Sequence, residues 1–191
     1  MLLKSTRTLK EMVPVLFNKD SDGPDPVYWV FASVSKKWEN MTVIAPRSYD
    51  GEFPKTFGHY HSKDVVEKYK LLSGQGVLLM QKRKFIDDDW NPNQIEKIYF
   101  VEFLPRDEIN ITVEYGHSWS NTGDTPLVTL DNWTKGHTPE EYEPIKKLGG
   151  MAYYLVNKNG RAEFVANKNY KDIPKPEWIS AAEFNKLNNG D

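Results

Sequence analysis

The chain has 191 residues, with 25 basic against 27 acidic side chains and a formal net charge of -2 at pH 7. That balance, with no long block of one sign, gives nucleic acid and anionic membrane no electrostatic support as partners. Cysteine is absent, which excludes disulfides and thiolate metal sites, so any metal here is held by nitrogen and oxygen ligands. The opening MLLKSTRTLKEMVPVLF lacks the apolar run of a signal peptide, and no segment approaches the ~20 apolar residues of a membrane span. A soluble cytoplasmic protein of one domain is therefore expected.

In chain order, Thr8 to Met12 reads as a short amphipathic turn. Strand-like runs follow at Pro26–Ser33 (PVYWVFAS) and Met41–Pro46 (MTVIAP). EKYKLLSGQGVLLMQ reads as a hairpin turning at Ser73-Gly74-Gln75-Gly76. Lys82-Arg83-Lys84 and Asp87-Asp88-Asp89 read as charge runs flanking a solvated turn. Further strands are expected at Ile95–Leu104, Ile109–Tyr115 and Thr125–Leu130, and a last hairpin turns at Asn159-Gly160. Ser180-Ala-Ala-Glu183 is a capping box opening a short helix that Asn188-Asn189-Gly190 stops. Helical signals are otherwise confined to the ends. Many short strands, with aromatic residues at 13%, predict an all-β sandwich or barrel with short terminal helices.

Two of the chain's four histidines alternate in GHYHSKDVVE, Gly58 to Glu67. On a strand, residues two apart share a face, about 7 Å apart along the backbone. His59 and His61 thus point to one side, either as two surface imidazoles or as a pair that chelates a divalent ion. Glu67 opens the following strand and shares its face with Tyr69 and Leu71. His117, in GHSWSN, offers a fourth ligand.

The order His59-x-His61, five residues, Glu67, six residues, Gly74, then His117 with Asn121, is similar to the two metal motifs of the cupins. Within them the chain resembles the archaeal-type glucose-6-phosphate isomerases, through DPVYWVF, TVIAP, KTFGHYH, EKYKLLSGQGVLLMQ, HSWSNTGDTPLV, Gly136-His137 and NGRAEFV. The resemblance implies a double-stranded β-helix (cupin jelly-roll barrel) and a homodimer. It implies a metal-binding core at about residues 40–135 of a single 1–191 domain. It implies one divalent ion, Fe2+ first among Mn2+, Ni2+, Co2+ and Zn2+, on His59, His61, Glu67 and His117. It further implies phosphate contacts at Thr42, Thr56 and Gly58, and catalytic roles for Glu67, Tyr69 and His137. The hydroxyl of Thr56 and the unobstructed N–H of Gly58 suit phosphate oxygens, and Lys55 can add substrate-binding charge, unless it is simply solvated. Trp133 stands near a tyrosine that the family uses on phosphate.

Such a site fits aldose–ketose isomerisation of a phosphosugar such as glucose 6-phosphate. The metal would polarise the carbonyl, and Glu67 would carry a proton through a cis-enediol. A metal-assisted hydride shift is an open alternative. Two other readings are a cupin dioxygenase or lyase using Fe2+ on the same ligands, and a non-catalytic sugar-binding cupin. Thr42, Thr56 and Gly58 favour the isomerase, because an oxygenase has no need of them. Tyr142 and Tyr153 are pocket candidates that equally suit plain packing.

Overall fold

The computed structural model describes residues 1–189. In chain order the elements are β1 (Leu2–Arg7), α1 (Leu9–Met12), β2 (Tyr28–Ala32), β3 (Asn40–Ile44), β4 (His59–Tyr60), β5 (Glu67–Ser73) and β6 (Gly76–Ile86). They continue with β7 (Asp89–Glu102), β8 (Glu108–Ile111), β9 (Tyr115–Asn121), β10 (Leu127–Asp131), α2 (Pro139–Lys147), β11 (Tyr153–Lys158), β12 (Arg161–Ala166), β13 (Glu177–Ser180) and α3 (Ala181–Asn189).

The strands form a six-stranded sheet, β1-β2-β3-β10-β5-β8, and a five-stranded sheet, β13-β7-β6-β9-β4, with β11-β12 as a separate hairpin. The two large sheets face each other, since Tyr69 of the first packs its ring 5.7 Å from His117 and 5.9 Å from Trp119 of the second. This is the expected all-β jelly-roll sandwich. Leu71, Ile44, Leu78, Met80 and Trp119 are fully buried in it, each aliphatic side chain contributing about 1.5–3 kcal/mol of transfer free energy. Phe164 of the small hairpin stacks on Phe100 at 5.8 Å, covering the outer face of the five-stranded sheet.

Several elements depart from the sequence expectation. Glu67–Ser73 and Gly76–Ile86 are not a hydrogen-bonded hairpin: β5 pairs with β10 and β8, whereas β6 pairs with β7 and β9. The Ser73–Gly76 turn instead carries the chain from one sheet to the other. Gly74 has φ +87°, and a Cβ there would lie 2.6 Å from the Pro126 carbonyl oxygen, so both conformation and space require glycine. The charged runs after Gln81 do flank an exposed turn, as expected, but most of their length is strand. They form the tip of a long β6–β7 hairpin, turning on Asp87 and Asp88 at φ 51° and 63°, which Asp tolerates better than most residues.

The expected strand Ile109–Tyr115 is two strands, β8 and β9, with a turn closed by Tyr115 N–H donating to Thr112 O (3.1 Å). Helix is not confined to the ends either. Helix α2 starts at a Thr138–Glu141 capping box with Pro139 at its first turn, a signal present in the sequence and overlooked. The N-terminal Leu2–Arg7 is a strand paired to β2. The capping boxes at Thr8–Glu11 and Ser180–Glu183 are both formed. Asn159 and Gly160 turn the last hairpin with φ 54° and 79°. The proposed stop at Gly190 lies outside the described residues.

Strand register places the site. On the buried face of the six-stranded sheet, Asn40, Asp131 and Tyr69 lie in one row, and Thr42, Thr129 and Leu71 in the next. In the other sheet, His59 sits directly opposite His117, and His117 opposite Met80.

Candidate metal centre

Strand β4 presents His59 inward, and His61 follows just past its end. Strand β5 brings Glu67 in at its first residue, and β9 brings His117 at its third. His61 and Glu67 are fully buried, with His117 1% and His59 8% exposed. Each of the four offers a ligand atom, and these atoms lie within 4.8 Å of one another. His61 Nε2 is 2.8 Å from Glu67 Oε2, and His117 Nε2 is 3.2 Å from the same oxygen. The stretch SKDVV is therefore long enough to deliver Glu67 to the pair.

The donor set fits a divalent ion. His59 Nε2, His61 Nδ1, Glu67 Oε1 and both ring nitrogens of His117 are buried without a hydrogen-bond partner. Buried polar atoms are usually satisfied, so this concentration of unpartnered ring nitrogens and a carboxylate oxygen in one place suits a ligand. All donors are nitrogen or carboxylate oxygen, which suits first-row divalent ions. Burial, followed by the neighbouring histidines, holds His59 well below the usual imidazole range, as a neutral donor. Burial opposes ionisation of Glu67, but the ring nitrogens of His117 and His61, 3.2 and 2.8 Å from its Oε2, outweigh it and lower the carboxyl to about 2.

His137 and Tyr69, both singled out from the sequence, border this cluster. The His137 ring centroid is 4.1 Å from that of His59. Tyr69 borders His117, and burial, with Glu67 and Asp131 next in effect, pushes its phenol well above the ordinary range, so it stays protonated. Thr56 Oγ1 accepts the Trp119 N–H at 3.0 Å and lies 3.3 Å from Ser118 Oγ, whose own hydrogen goes to Thr56 O at 2.8 Å. Gly58 has φ +83°, and a Cβ there would meet Met151 Sδ at 3.0 Å. Thr42 is buried in the row beside Asn40 and Asp131.

Lys55 is a different case. It is buried, and its ammonium pairs with Glu52 and lies 4.8 Å over the Tyr154 ring. Of the two tyrosine candidates, Tyr142 lines the centre, 5.4 Å from His59 and 5.8 Å from His137. Tyr153 packs elsewhere and donates to Pro174 O. Trp133 stacks on His61 at 3.9 Å and donates its indole N–H to Gly136 O.

Three neighbours were missed. Arg83, read as part of a solvated turn, donates to His61 O at 2.7 Å with its guanidinium over the Tyr60 and Trp90 rings. Asp131 is buried, accepting from Asn40 Nδ2 (2.6 Å) and Trp133 N–H (3.0 Å). Alternation along Leu127, Thr129, Asp131 marks it as inward-facing. Glu141 joins His137 to Ser62, and its capping-box position was its signal.

Comparison with known proteins agrees with this geometry. The profile of the family described as "Glucose-6-phosphate isomerase (GPI)" matches residues 32–175. A glucose-6-phosphate isomerase of Thermococcus litoralis is 27% identical over 92% of this chain and 87% of its own length. Another, from Pyrococcus abyssi (strain GE5 / Orsay), is 30% identical over 77% of this chain and 75% of its own. Among solved structures, a predicted oxalate decarboxylase from Thermotoga maritima covers 69% of this chain and 96% of its own at 17% identity and TM-score 0.37. That likeness is too loose to bear on function. No helix among the described residues is long and apolar enough to cross a membrane. With three quarters of its length matched by the family profile, the chain belongs to the glucose-6-phosphate isomerase family, a family of isomerases that perform intramolecular oxidoreduction.

Proposed function

We propose that the chain is a metal-dependent aldose–ketose isomerase that interconverts glucose 6-phosphate and fructose 6-phosphate, or a closely related phosphosugar. The observation that carries this is the cluster of His59, His61, Glu67 and His117, whose unpartnered polar atoms converge in a buried space. These four side chains would hold one ion, Fe2+ in first place, with Mn2+, Ni2+, Co2+ and Zn2+ suited by the same donors. A bound divalent ion supplies Lewis-acid polarisation of the sugar carbonyl.

The chain's own groups do the rest. Glu67 Oε1, the carboxylate oxygen with no protein partner, takes the proton from C2 of the open-chain sugar and returns it to C1, through a cis-enediol. The protonated phenol of Tyr69 donates to a substrate oxygen. His137 is the second proton-handling group in this reading. Thr42, the Thr56 hydroxyl and the Gly58 N–H hold the phosphate. We assign Lys55, committed to Glu52, to holding that segment in place. The whole chain acts as one domain in this reading, as a homodimer in the cytoplasm.

Coupled assay of fructose 6-phosphate turnover tests the proposal. In Glu67→Gln, three histidines remain to hold metal, and turnover is expected to fall about 100-fold or more. A Glu67→Gln variant that works at the wild-type rate would remove Glu67 as proton carrier.

A further inference from the structure

Glu141 lies outside the metal cluster and outside the phosphate contacts, yet it is only 4% exposed and satisfied on every side. Its Oε1 accepts from Ser62 N–H (2.9 Å) and Ser62 Oγ–H (2.8 Å). Its Oε2 accepts from Thr138 N–H (3.2 Å) and lies 3.1 Å from His137 Nδ1. An ionised carboxylate only accepts hydrogen bonds. Burial works against ionisation here, but the hydrogen bonds from Ser62, His137 and Thr138 outweigh it and hold the carboxyl below its ordinary value.

His137 Nδ1 must therefore carry the hydrogen in this pair, which leaves the lone pair on Nε2. The ring plane is set independently. It lies within 8° of parallel to the Trp133 indole at 5.9 Å, within 22° of the His61 ring at 5.4 Å, and its centroid is 4.1 Å from that of His59. Trp133 is itself tied to the same loop through Gly136 O.

We propose that Glu141 is a positioning residue for His137: it fixes the Nδ1–H tautomer and the ring's orientation against the metal cluster. Through Ser62, the residue after His61, it also locks the ligand loop to the N-terminus of α2. The consequence for turnover rests on the isomerase reading above; the tautomer does not. His61, His137 and Glu141 also bring ligand atoms within 4.8 Å of one another, which invites a second metal site. The hydrogen bonds decide against it. Glu141 already accepts from Ser62 and Thr138, and an ion would have to displace backbone N–H donors. The unpartnered polar atoms are in the neighbouring cluster instead.

The test uses the full chain loaded with diamagnetic Zn2+, with ¹⁵N-labelled histidine, as wild type, Glu141→Gln and Glu141→Asp. The His137 ring nitrogens are read by NMR, and steady-state kinetics with fructose 6-phosphate are measured on Mn2+-loaded protein. Wild type is expected to show the Nδ1–H tautomer. Gln faces a donor, Ser62 or Thr138, whichever way its amide turns, so Glu141→Gln should lose the fixed tautomer. Its kcat should fall about 10- to 100-fold, with metal content and KM close to wild type. Glu141→Asp, a carboxylate on a shorter stem, should keep the tautomer and recover part of kcat. An Nε2–H tautomer in wild type, or unaltered His137 signals and turnover in Glu141→Gln, would overturn the proposal. So would a loss of kcat that only tracks lost metal or lost folded protein. If the tautomer behaves as expected while wild type turns over no phosphosugar, the positioning role stands and the substrate reading fails.

Discussion

Replacing Lys55 by Met separates a structural lysine from a substrate-binding one. Lys55 and Glu52 are 5% and 1% exposed, and Glu52 Oε2 also accepts the Phe17 N–H at 2.7 Å. Met preserves most of the lysine stem and its packing, so the change removes chiefly the countercharge. Leaving one partner of a buried ion pair uncompensated costs about 3–5 kcal/mol. For a chain of this size each kcal/mol lowers Tm by about 2–4 °C, so the expected fall is about 6–20 °C. Thermal unfolding followed by circular dichroism, with a guanidinium titration for free energy, measures it. The double variant Lys55→Met/Glu52→Gln should recover most of the loss, because a glutamine oxygen still accepts from Phe17 and no charge is left buried. KM for fructose 6-phosphate, measured well below the variant's Tm, should match wild type. A loss under about 1 kcal/mol, the scale of an exposed pair, together with a raised KM would refute this reasoning and return Lys55 to the phosphate.

Metal and folding are linked as well. Adding Mn2+ or Fe2+ at about 100 times its dissociation constant should stabilise the chain by about 2.7 kcal/mol. That shift should vanish in His117→Ala, and an equal shift in that variant would place the ion elsewhere. Asp131 supplies a pH signature in the metal-free protein. Burial, with the charge of Glu67 next in effect, raises its carboxyl to about 7 from an ordinary 3.8. Between those values the folded state holds a proton that the unfolded state has released, so stability falls as pH rises, by at most about 1.4 kcal/mol per unit. Asp131→Asn keeps an oxygen for Asn40 and Trp133 and should flatten that slope in urea titrations across the window. Parallel profiles for the two proteins would contradict the assignment.

The histidine pair of the candidate centre was legible because alternation on an extended chain puts His59 and His61 on one side, although β4 itself ends at Tyr60. Glu67 and His117 followed from a resemblance in spacing, since their meeting depends on how two sheets face each other, which no local pattern encodes. The same blindness produced the errors. Glu67–Ser73 and Gly76–Ile86 look like a hairpin, because a tight Gly-bearing turn reads alike whether it joins neighbours in one sheet or crosses between two. Ile109–Tyr115 was read as one strand because INITVEYGHSWSN is continuously strand-like and the Thr112–Glu114 turn lacks glycine or proline. Nothing local to Lys55 reveals that Glu52, three residues earlier, is buried beside it, which is why its role is put to the test above. Arg83 was assigned to solvent on its charged neighbours alone, although the flat Tyr60 and Trp90 rings shelter its guanidinium. Glu141 and α2 were overlooked although Thr138-Pro139-Glu140-Glu141 carries a full N-terminal helix signature.

The most direct measurement of the central claim is isomerase turnover before and after metal removal. Chain stripped with a chelator, its metal content verified by elemental analysis, should lose fructose 6-phosphate to glucose 6-phosphate conversion. About one equivalent of Fe2+ or Mn2+ per chain should restore it. Conversion that continues at the original rate in verified metal-free protein would contradict the account.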